Sequence, residues 1–346
     1  MGQYVVRRLL QAIPLLLLVS ILLFILVNIA PGGPLAGRGQ TKHIRPEQVE
    51  ILKRQYGLDK PLVVRYVFWL IGNDWIKVDT DGDGIAESYG QSKGILRGDF
   101  GNSYRTRRPV LETIGDYLPN TIYLMTITLI IVALLAIPVG VISAVKQYSI
   151  FDISITTLSF MGQAIPEFWL GLILILVFYG WLKNPISGES LLPAGGMYTI
   201  GAPFSVWDWV RHLILPVTMG AVGWVTWYSR FLRSSMLDVI HQDYIRTARA
   251  KGLTEKRILF IHALRNALLP LVTIFALDLP YIVAGSLYVE IIFSWPGMGR
   301  LYYQAAMDRD YPLLMAILII GTAVVILSNL LADIVYGILD PRIHYD

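Results

Sequence analysis

Six stretches of predominantly apolar residues divide the chain, and most charged residues lie between them. These stretches cover residues 9–30, 117–145, 153–182, 212–229, 267–293 and 313–339. A helix of about 20 apolar residues can cross the hydrocarbon core of a bilayer. A kink is expected near each proline within or beside a stretch, at Pro138, Pro166, Pro216 and Pro280. The pattern therefore predicts an all-α polytopic membrane protein with six transmembrane helices.

The first apolar run, residues 9–30, follows the basic pair Arg7 and Arg8. A basic start before an apolar run is also typical of a cleavable signal peptide. This run exceeds the apolar core of about 7–15 residues that signal peptides have, and no A-x-A-like cleavage site follows it. We therefore favour a retained first transmembrane helix, with the signal peptide as the alternative.

The residues between the first and second apolar runs form a long polar insert. The sequence PGGP at 31–34 ends the first run, and PEQVEILKRQYGL at 46–58 has the pattern of a short helix closed by Gly57. A second short helix is expected from Pro61 to Leu70. We expect three segments: a first transmembrane helix over 1–30, an external insert over 31–112, and a core of five transmembrane helices over 113–346.

The overall composition agrees with a membrane protein. Of 346 residues, 55% are hydrophobic and 16% are charged, and the mean hydropathy is +0.55. A soluble domain has roughly 25% charged residues. The net charge of +4 requires no nucleic-acid partner, because basic residues at membrane edges account for it. The sequence has no cysteine, which excludes disulfides, thiolate catalysis and cysteine-ligated metals.

Basic residues are concentrated in the segment 230–266, which holds eight of them against three acidic residues. Loops rich in lysine and arginine lie on the cytoplasmic side, and an even number of spans puts both termini on one side. Arg105, Arg107 and Arg108 lie on the opposite side, but they end a long insert, where the charge rule is weakest. We therefore expect a multi-pass protein of the cell inner membrane with both termini cytoplasmic.

The sequence DYIRTARAKGLTEKR, which begins at Asp243, is the main charged interruption in the second half of the chain. We expect Asp243 to be the N-cap of a short helix and Gly252 its C′ residue, where the absence of Cβ permits a left-handed backbone. Ile245, Ala248 and Gly252 share one side of that helix. Thr254 is expected to cap a second helix. In a soluble protein this would be an ordinary surface hairpin, but its place between two predicted spans argues against that.

Four carboxylates lie within or at the end of the predicted spans: Glu167, Asp278, Glu290 and Asp333. A charge exposed to lipid costs several kcal/mol unless it faces a wet cavity or a partner. Glu167 and Asp278 are therefore our candidates for a translocation pathway. A protonated or interfacial carboxylate is the alternative, which we prefer for Asp333.

The insert contains an acidic run, DTDGDGIAE, that is similar to the start of a calcium-binding loop. Its candidate ligands lie on alternate residues: Asp79, Asp81, Asp83, Ile85 (through its carbonyl) and Glu87. The full pattern requires a bidentate glutamate at position twelve, which is Gly90 here, so the match is partial. A solvated acidic turn is the alternative, and the missing glutamate favours it.

Motifs of nucleotide and metal chemistry are absent from the sequence. There is no G-x-x-x-x-G-K-[ST] loop to hold nucleotide phosphates and no H-E-x-x-H. The five histidines lack the spacing of metal ligands. We therefore expect no catalytic residues, no intrinsic cofactor other than the calcium considered above, and no enzyme activity in this chain.

Several short sequences, in order along nearly the whole chain, resemble those of ABC-transporter permeases of the dipeptide/oligopeptide importer family. They are GDFGNS at 98–103, IPEFWLG at 165–171, LPAGG at 192–196, DYIRTARAKGLTEKR at 243–257 with IHALRNALLP at 261–270, FSWPGMG at 293–299, RDYP at 309–312 and LDPR at 339–342. The combination is most similar to the first of the two permease subunits of such importers.

The resemblance implies partners for this chain. They are a second homologous permease subunit, two cytoplasmic ATPase subunits that bind ATP, and an external substrate-binding protein. The helix within 230–266 would contact an ATPase subunit. By this resemblance, the coupling residues are Tyr244, Ile245, Arg246, Thr247, Ala248, Arg249, Lys251, Gly252 and Leu253.

The sequence also departs from the general importer pattern. Many importers have Glu-Ala-Ala six residues before the glycine of this loop, whereas Arg246, Thr247 and Ala248 stand there in this chain, and Arg265 replaces a proline. The contacts of the missing glutamate are therefore not carried over. Asp278 is another departure, because we expect a neutral residue there.

The expected function is that of a transmembrane permease subunit of a binding-protein-dependent ABC importer for di- or oligopeptides. The same type of importer for oligosaccharides, nickel chelates or glutathione is an alternative. An ion-coupled secondary carrier that uses Glu167 and Asp278 is a second, although no inverted repeat or discontinuous half-helix is evident in the sequence. A channel or scaffold subunit without a pumping partner is a third.

Overall fold

The computed structural model describes residues 2–29, 54, 57–79, 86–185 and 187–339, and these residues are mainly helical. In chain order the elements are α1 (Gly2–Ile29), α2 (Leu62–Ile71), β1 (Lys77–Val78), β2 (Ser88–Tyr89), α3 (Val110–Val145), α4 (Ile150–Ala164), α5 (Glu167–Ile175), α6 (Val206–Ile240), α7 (Asp243–Ala250), α8 (Glu255–Arg257), α9 (Leu264–Asp278), α10 (Tyr281–Ala284), α11 (Leu287–Ile292), α12 (Met298–Met307) and α13 (Tyr311–Leu339). A π-helical turn, Leu176–Trp181, continues α5, and another, Ile258–Ala263, joins α8 to α9.

Four stretches of the described chain are helical, long and apolar enough to cross a membrane, and the pair α4 and α5 makes a fifth if it forms one span. This confirms a multi-pass helical membrane protein. The fourth predicted run lies inside α6, a 35-residue helix that does not meet the same criterion. Histidine, glycine, threonine and aromatic residues dilute the apolar residues of this run, so composition alone does not mark it as a span.

The third predicted span is broken rather than continuous. Helices α4 and α5 meet at an angle of 98° around Ile165 and Pro166. Proline has no N–H to donate and disfavours a helical conformation in the residue before it, and Ile165 is extended with φ −78° and ψ 124°. The kink predicted at Pro166 is thus confirmed, and it divides the span into two helices instead of bending one continuous helix. Helices α3 and α6 continue through Pro138 and Pro216 without a break.

The fifth predicted span is also interrupted. Helix α9 ends at Asp278, Leu279 and Pro280 separate it from α10, and Gly285 with φ +75° separates α10 from α11. No discontinuous helix was evident from the sequence, whereas the structure interrupts both of these runs. The cause is local: Pro280 and Gly285 interrupt the helix within a run that its apolar pattern predicts to be continuous.

One compact unit comprises Met1–Val5, Leu118–Arg300 and Val324–Asp346. It contains two clusters of buried apolar side chains. In the first, Ala144 of α3 and Met236 of α6 lie together with Ile245 and Ala248 of α7 and Ile258 of the following π-turn. The second cluster joins residues of α3, α6 and α11 to the loop after α11 and includes Leu124, Leu215, Met219, Phe293 and Trp295.

The other unit comprises Val6–Tyr117 and Leu301–Ala323. In it, the rings of Phe24, Tyr66 and Trp69 lie 5.4–5.8 Å apart, so α2 packs on α1 through aromatic contacts. Helix α2 confirms the second short helix predicted in the insert. Helices α1, α3 and α13 each run across a boundary between the units, and the three predicted segments stay a prediction.

The acidic run of the insert lies between two short antiparallel strands, in which Lys77 pairs with Tyr89 and Val78 with Ser88. Of the candidate calcium ligands, Asp81, Asp83 and Ile85 lie outside the described residues, whereas Asp79 and Glu87 are described. No group of three acidic or histidine side chains within the described ranges could hold a metal ion. The calcium hypothesis therefore stays a prediction.

Nearby in the insert, Arg97 donates two hydrogen bonds to Asp74, at 2.8 and 2.5 Å. These hydrogen bonds lower the pKa of the Asp74 carboxyl below its usual value. Arg97 also donates to the backbone oxygens of Ile71 and Lys93, so this one side chain joins the end of α2 to the chain after β2.

Candidate coupling helix and membrane carboxylates

Helix α7 begins one residue earlier than an N-cap at Asp243 would place it. Gln242 is the N-cap, with φ −71° and ψ 151°, and Asp243 is the first helical residue. A carboxylate in the first turn still interacts favourably with the positive end of the helix dipole, which explains why both assignments fit the sequence. The N-cap prediction for Asp243 was thus wrong by one position, while the helix itself is as predicted.

The C-terminal end of α7 is a Schellman motif. Gly252 has φ +75°, its N–H donates to Arg249 O at 2.9 Å, and the N–H of Leu253 donates to Ala248 O at 3.3 Å. Both bonds satisfy carbonyls that a helix end leaves free, and the motif requires a left-handed residue at C′. The prediction for Gly252 is confirmed, and the turn sets the direction in which the chain leaves the helix.

One side of α7 is buried against the rest of its own unit. Ile245 is 0% exposed and Ala248 is 7% exposed, and Leu253 packs against the same cluster. A partner protein cannot contact the side chains of Ile245 and Ala248 while they are buried there. These two side chains anchor the helix, because they are its apolar residues on one side, and their role in coupling stays a prediction.

The opposite side of α7 is exposed and mainly basic. It presents Arg246, Thr247, Arg249 and Lys251, with Tyr244 at its edge, 42% exposed. The acidic residues nearby, Asp243 and Glu255, pair with Arg246 at 3.5 Å and Arg249 at 2.8 Å. These pairs are exposed and contribute little to stability. The surface available to a partner is therefore polar and positively charged.

Helix α7 is also tied to the chain that follows it. Thr254 is the N-cap of α8 in position, with φ −67° and ψ 144°, but its side chain makes no capping hydrogen bond. Arg249 bridges the glycine turn to Glu255, and Asn266 of α9 donates to the Tyr244 hydroxyl at 3.0 Å. The helix is thus held at both ends and along one side, so a force on it would reach α6 and α9.

The two candidate pathway carboxylates lie at the ends of two different helices. Glu167 is the first residue of α5, directly after the break at Pro166, and is exposed. Asp278 is the last residue of α9 and accepts a hydrogen bond from the hydroxyl of Tyr228. No hydrogen bond or ion pair joins these carboxylates in the described part of the chain. Each marks the point where a membrane helix is interrupted.

The other two carboxylates within the apolar runs have structural partners. Asp333 accepts a hydrogen bond from the Tyr4 hydroxyl at 2.8 Å, which ties α13 to the start of α1. Glu290 is 0% exposed and accepts from the Thr121 hydroxyl at 2.9 Å and from the N–H of Arg300 at 3.0 Å. Glu290 thereby satisfies a free N–H in the first turn of α12.

Several of the short sequences singled out above meet in space. Gly196 donates to Phe293 O at 2.7 Å, and a Cβ on Gly195 would lie 2.4 Å from that same oxygen, so LPAGG must have glycine to approach FSWPGMG. In the other unit, Ser103 of GDFGNS donates to Asp310 of RDYP at 2.5 Å, across 207 residues. These sequences therefore act in pairs that hold distant parts of the chain together.

Sequence reasoning missed an ion pair that fixes α4 to α6. Asp152, which is 2% exposed, accepts two hydrogen bonds from Arg233, at 2.7 and 2.8 Å, and a third from the N–H of Tyr148 at 2.9 Å. The only signal was an aspartate directly before the third apolar run, near the capping residue Ser149. The pair steadies α6 two turns before it leads into α7.

The comparisons with known proteins identify the class. Residues 136–345 match the family described as the binding-protein-dependent transport system inner membrane component, and residues 1–125 match the N-terminal family of the same membrane components. The chain belongs to this family of transport permeases.

Its relatives cover its whole length. It is 43% identical to the oligopeptide transport system permease protein AppB of Bacillus subtilis, with all of both chains aligned. It is 36% identical to the dipeptide transport system permease protein DppB of Escherichia coli K12, over all of this chain and 99% of the relative. A putative peptide permease protein of Brucella suis is also 36% identical, over 99% of each chain.

Proposed function

We propose that the chain is a permease subunit of a binding-protein-dependent ABC importer for di- or oligopeptides. The observation that carries this proposal is α7: a short basic helix, exposed on one side, buried on the other and tied to two long helices. An ABC-transporter chain that lacks a phosphate-binding loop must be driven by ATP hydrolysis in a partner. Helix α7 is the exposed element through which an ATPase subunit would act on this chain. The similarity to peptide permeases over the whole length supports the substrate class.

The proposed assembly contains this chain, a second homologous permease subunit, two cytoplasmic ATPase subunits and an external binding protein. The chain contributes six spans, with α6 as the span that composition does not mark, and both termini lie in the cytoplasm with α7. The basic residues of the segment 230–266 support this orientation. Arg246, Arg249 and Lys251 meet complementary charge on the ATPase, which sets orientation more than affinity.

An experiment that tests the proposal begins with purification of the chain from its native membrane and identification of the companion chains. The complex is then placed in vesicles with the external binding protein. Uptake of a labelled tripeptide should require ATP on the side of the ATPase subunits and should not respond to an imposed ion gradient. ATP-independent uptake driven by a gradient would support a secondary carrier, and a complex without ATPase subunits would contradict the proposal.

The substrate class is tested in the same vesicles. Labelled tripeptide, maltotriose and a nickel–histidine chelate are compared at equal concentration. Peptide uptake well above that of the other two solutes is expected. Preferential uptake of the sugar or the chelate would keep the importer type and overturn the peptide assignment.

A further inference from the structure

The carboxylate of Asp278 stands where a membrane helix is interrupted. Helix α9 ends at this residue, a hydrogen-bonded turn at Leu279 and Pro280 leads into α10, and Pro280 has no N–H to donate. Interrupted backbone at membrane depth is tolerated only where protein or a water-filled cavity satisfies its polar groups. Asp278 is partly exposed, so this point is not sealed within the chain.

The electrostatics at this point favour a positive charge. The free carbonyls at the C-terminal end of a helix carry partial negative charge, which disfavours a carboxylate there and favours a cation. In the described part of the chain, Asp278 forms no ion pair with a basic residue, and its hydrogen-bond partner is the neutral hydroxyl of Tyr228. Two negative features, the carboxylate and the end of the helix, thus coincide without a cation from the described residues.

Aromatic rings surround the hydrogen-bond partner of Asp278. Tyr228 is 1% exposed, and its ring lies 4.9 Å from Phe275 and 6.5 Å from Trp224. Trp224 in turn lies 5.5 Å from Tyr281, which is half exposed and follows the interruption directly. Aromatic faces attract organic cations, most strongly where water is excluded.

We propose that Asp278, together with Trp224 and Tyr281, binds a protonated amine of the transported solute. The inference rests on the proposed peptide import, because a peptide carries such a group at its N-terminus and on lysine. Tyr228 is a positioning residue: its hydroxyl holds one carboxylate oxygen and leaves the other for the ammonium group. A carboxylate and aromatic rings together recognise an organic ammonium in preference to a small hydrated metal ion.

The first experiment compares uptake of three labelled peptides by the reconstituted transporter: trialanine, N-acetyl-trialanine and N-acetyl-Ala-Lys-Ala. For each peptide the result is the ratio of Asp278→Asn to wild type, so preferences of the binding protein cancel. We expect this ratio to fall about tenfold for the two peptides with an ammonium group, as loss of a charge-assisted contact predicts, and to stay near one for N-acetyl-trialanine. Asp333→Asn is the matched carboxylate control, with ratios near one throughout.

Equal ratios for all three peptides would overturn the proposal, since a purely structural role would affect every substrate alike. A fall for trialanine alone would restrict the site to the peptide N-terminus. Tyr228→Phe tests positioning: it should raise KM for trialanine with little change in the maximal rate, and leave N-acetyl-trialanine unaffected.

A second measurement needs no peptide transport. The complete permease–ATPase complex, without binding protein, is titrated with n-butylammonium chloride, and the fluorescence of Trp224 is obtained as wild type minus Trp224→Phe. A saturable change is expected that sodium chloride does not produce and that Asp278→Asn abolishes. No saturable change would overturn the site. A saturable change in a transporter that imports none of the peptides would keep the site and contradict the proposed peptide import.

Discussion

The glycine that ends α7 offers the sharpest test of coupling. Gly252 has φ +75°, and a Cβ built there meets no atom within 4 Å outside its chain neighbours. Substitution by valine therefore introduces no collision with the rest of the chain, and its cost is the strain of a left-handed residue, about 1–2 kcal/mol. A cost of this size lowers the population of the left-handed turn by roughly 5- to 30-fold. The strain is confined to the Schellman motif that ends α7.

We expect Gly252→Val to lower peptide uptake per ATP hydrolysed, because the direction of the chain between α7 and α8 changes while the buried anchors stay in place. ATPase activity and uptake are measured side by side in the same vesicles, and the melting temperature of the complex reports whether the helices stay folded. Gly252→Asn is the control, since asparagine tolerates the left-handed region and should retain coupling. Normal coupling in the valine variant would mean that α7 is only a surface segment.

Three further predictions concern stability. Ile245→Ala removes a side chain that is 0% exposed and should lower the free energy of unfolding by about 2–5 kcal/mol, measured by thermal unfolding. Thr247→Ala, on the exposed side, should change it little. Equal effects of the two substitutions would contradict the assigned sides of α7. Asp310→Ala leaves the buried hydroxyl of Ser103 without its acceptor and should lower the free energy of unfolding by about 1–3 kcal/mol. The expected result is faster proteolysis of the insert. Unchanged proteolysis would contradict a structural role of this hydrogen bond. Calcium at millimolar concentration should raise the melting temperature if the run 79–87 binds it, and Asp81→Ala should abolish that rise; no effect of calcium would identify an acidic turn.

Much of α7 could be predicted from the sequence because its determinants are local. The spacing of Ile245 and Ala248 identified the side that became buried, and a glycine at the end of a basic run indicated the left-handed turn. What covers that side could not be predicted, because the buried cluster joins residues of α3 and α6 that are far away in the sequence. Contact with this core, rather than with a partner, followed only from tertiary packing.

The site at Asp278 illustrates the same limit. Its charge within an apolar run was conspicuous in the sequence, because lipid does not accept an unpartnered carboxylate. Its hydrogen bond from Tyr228 spans 50 residues, and the rings of Trp224 and Tyr281 come from α6 and α10. No periodicity relates these positions, so the pairing of charge and aromatic rings depended on how the helices pack.

The amino-acid sequence by itself determined the membrane class, the helical runs, the basic loop and the absence of a nucleotide-binding motif. These depend on composition, on periods of a few residues and on the hydrophobic thickness of a bilayer, all of which act locally along the chain. Only the tertiary structure decided that the third run turns by 98° at Pro166 and which carboxylates find partners. The reason is that a buried polar group needs a hydrogen-bond partner, and the fold decides which partner lies near it. The buried carboxylate of Asp310, for example, accepts from Ser103, which is 207 residues away in the sequence. Local spacing along the chain does not constrain such a separation.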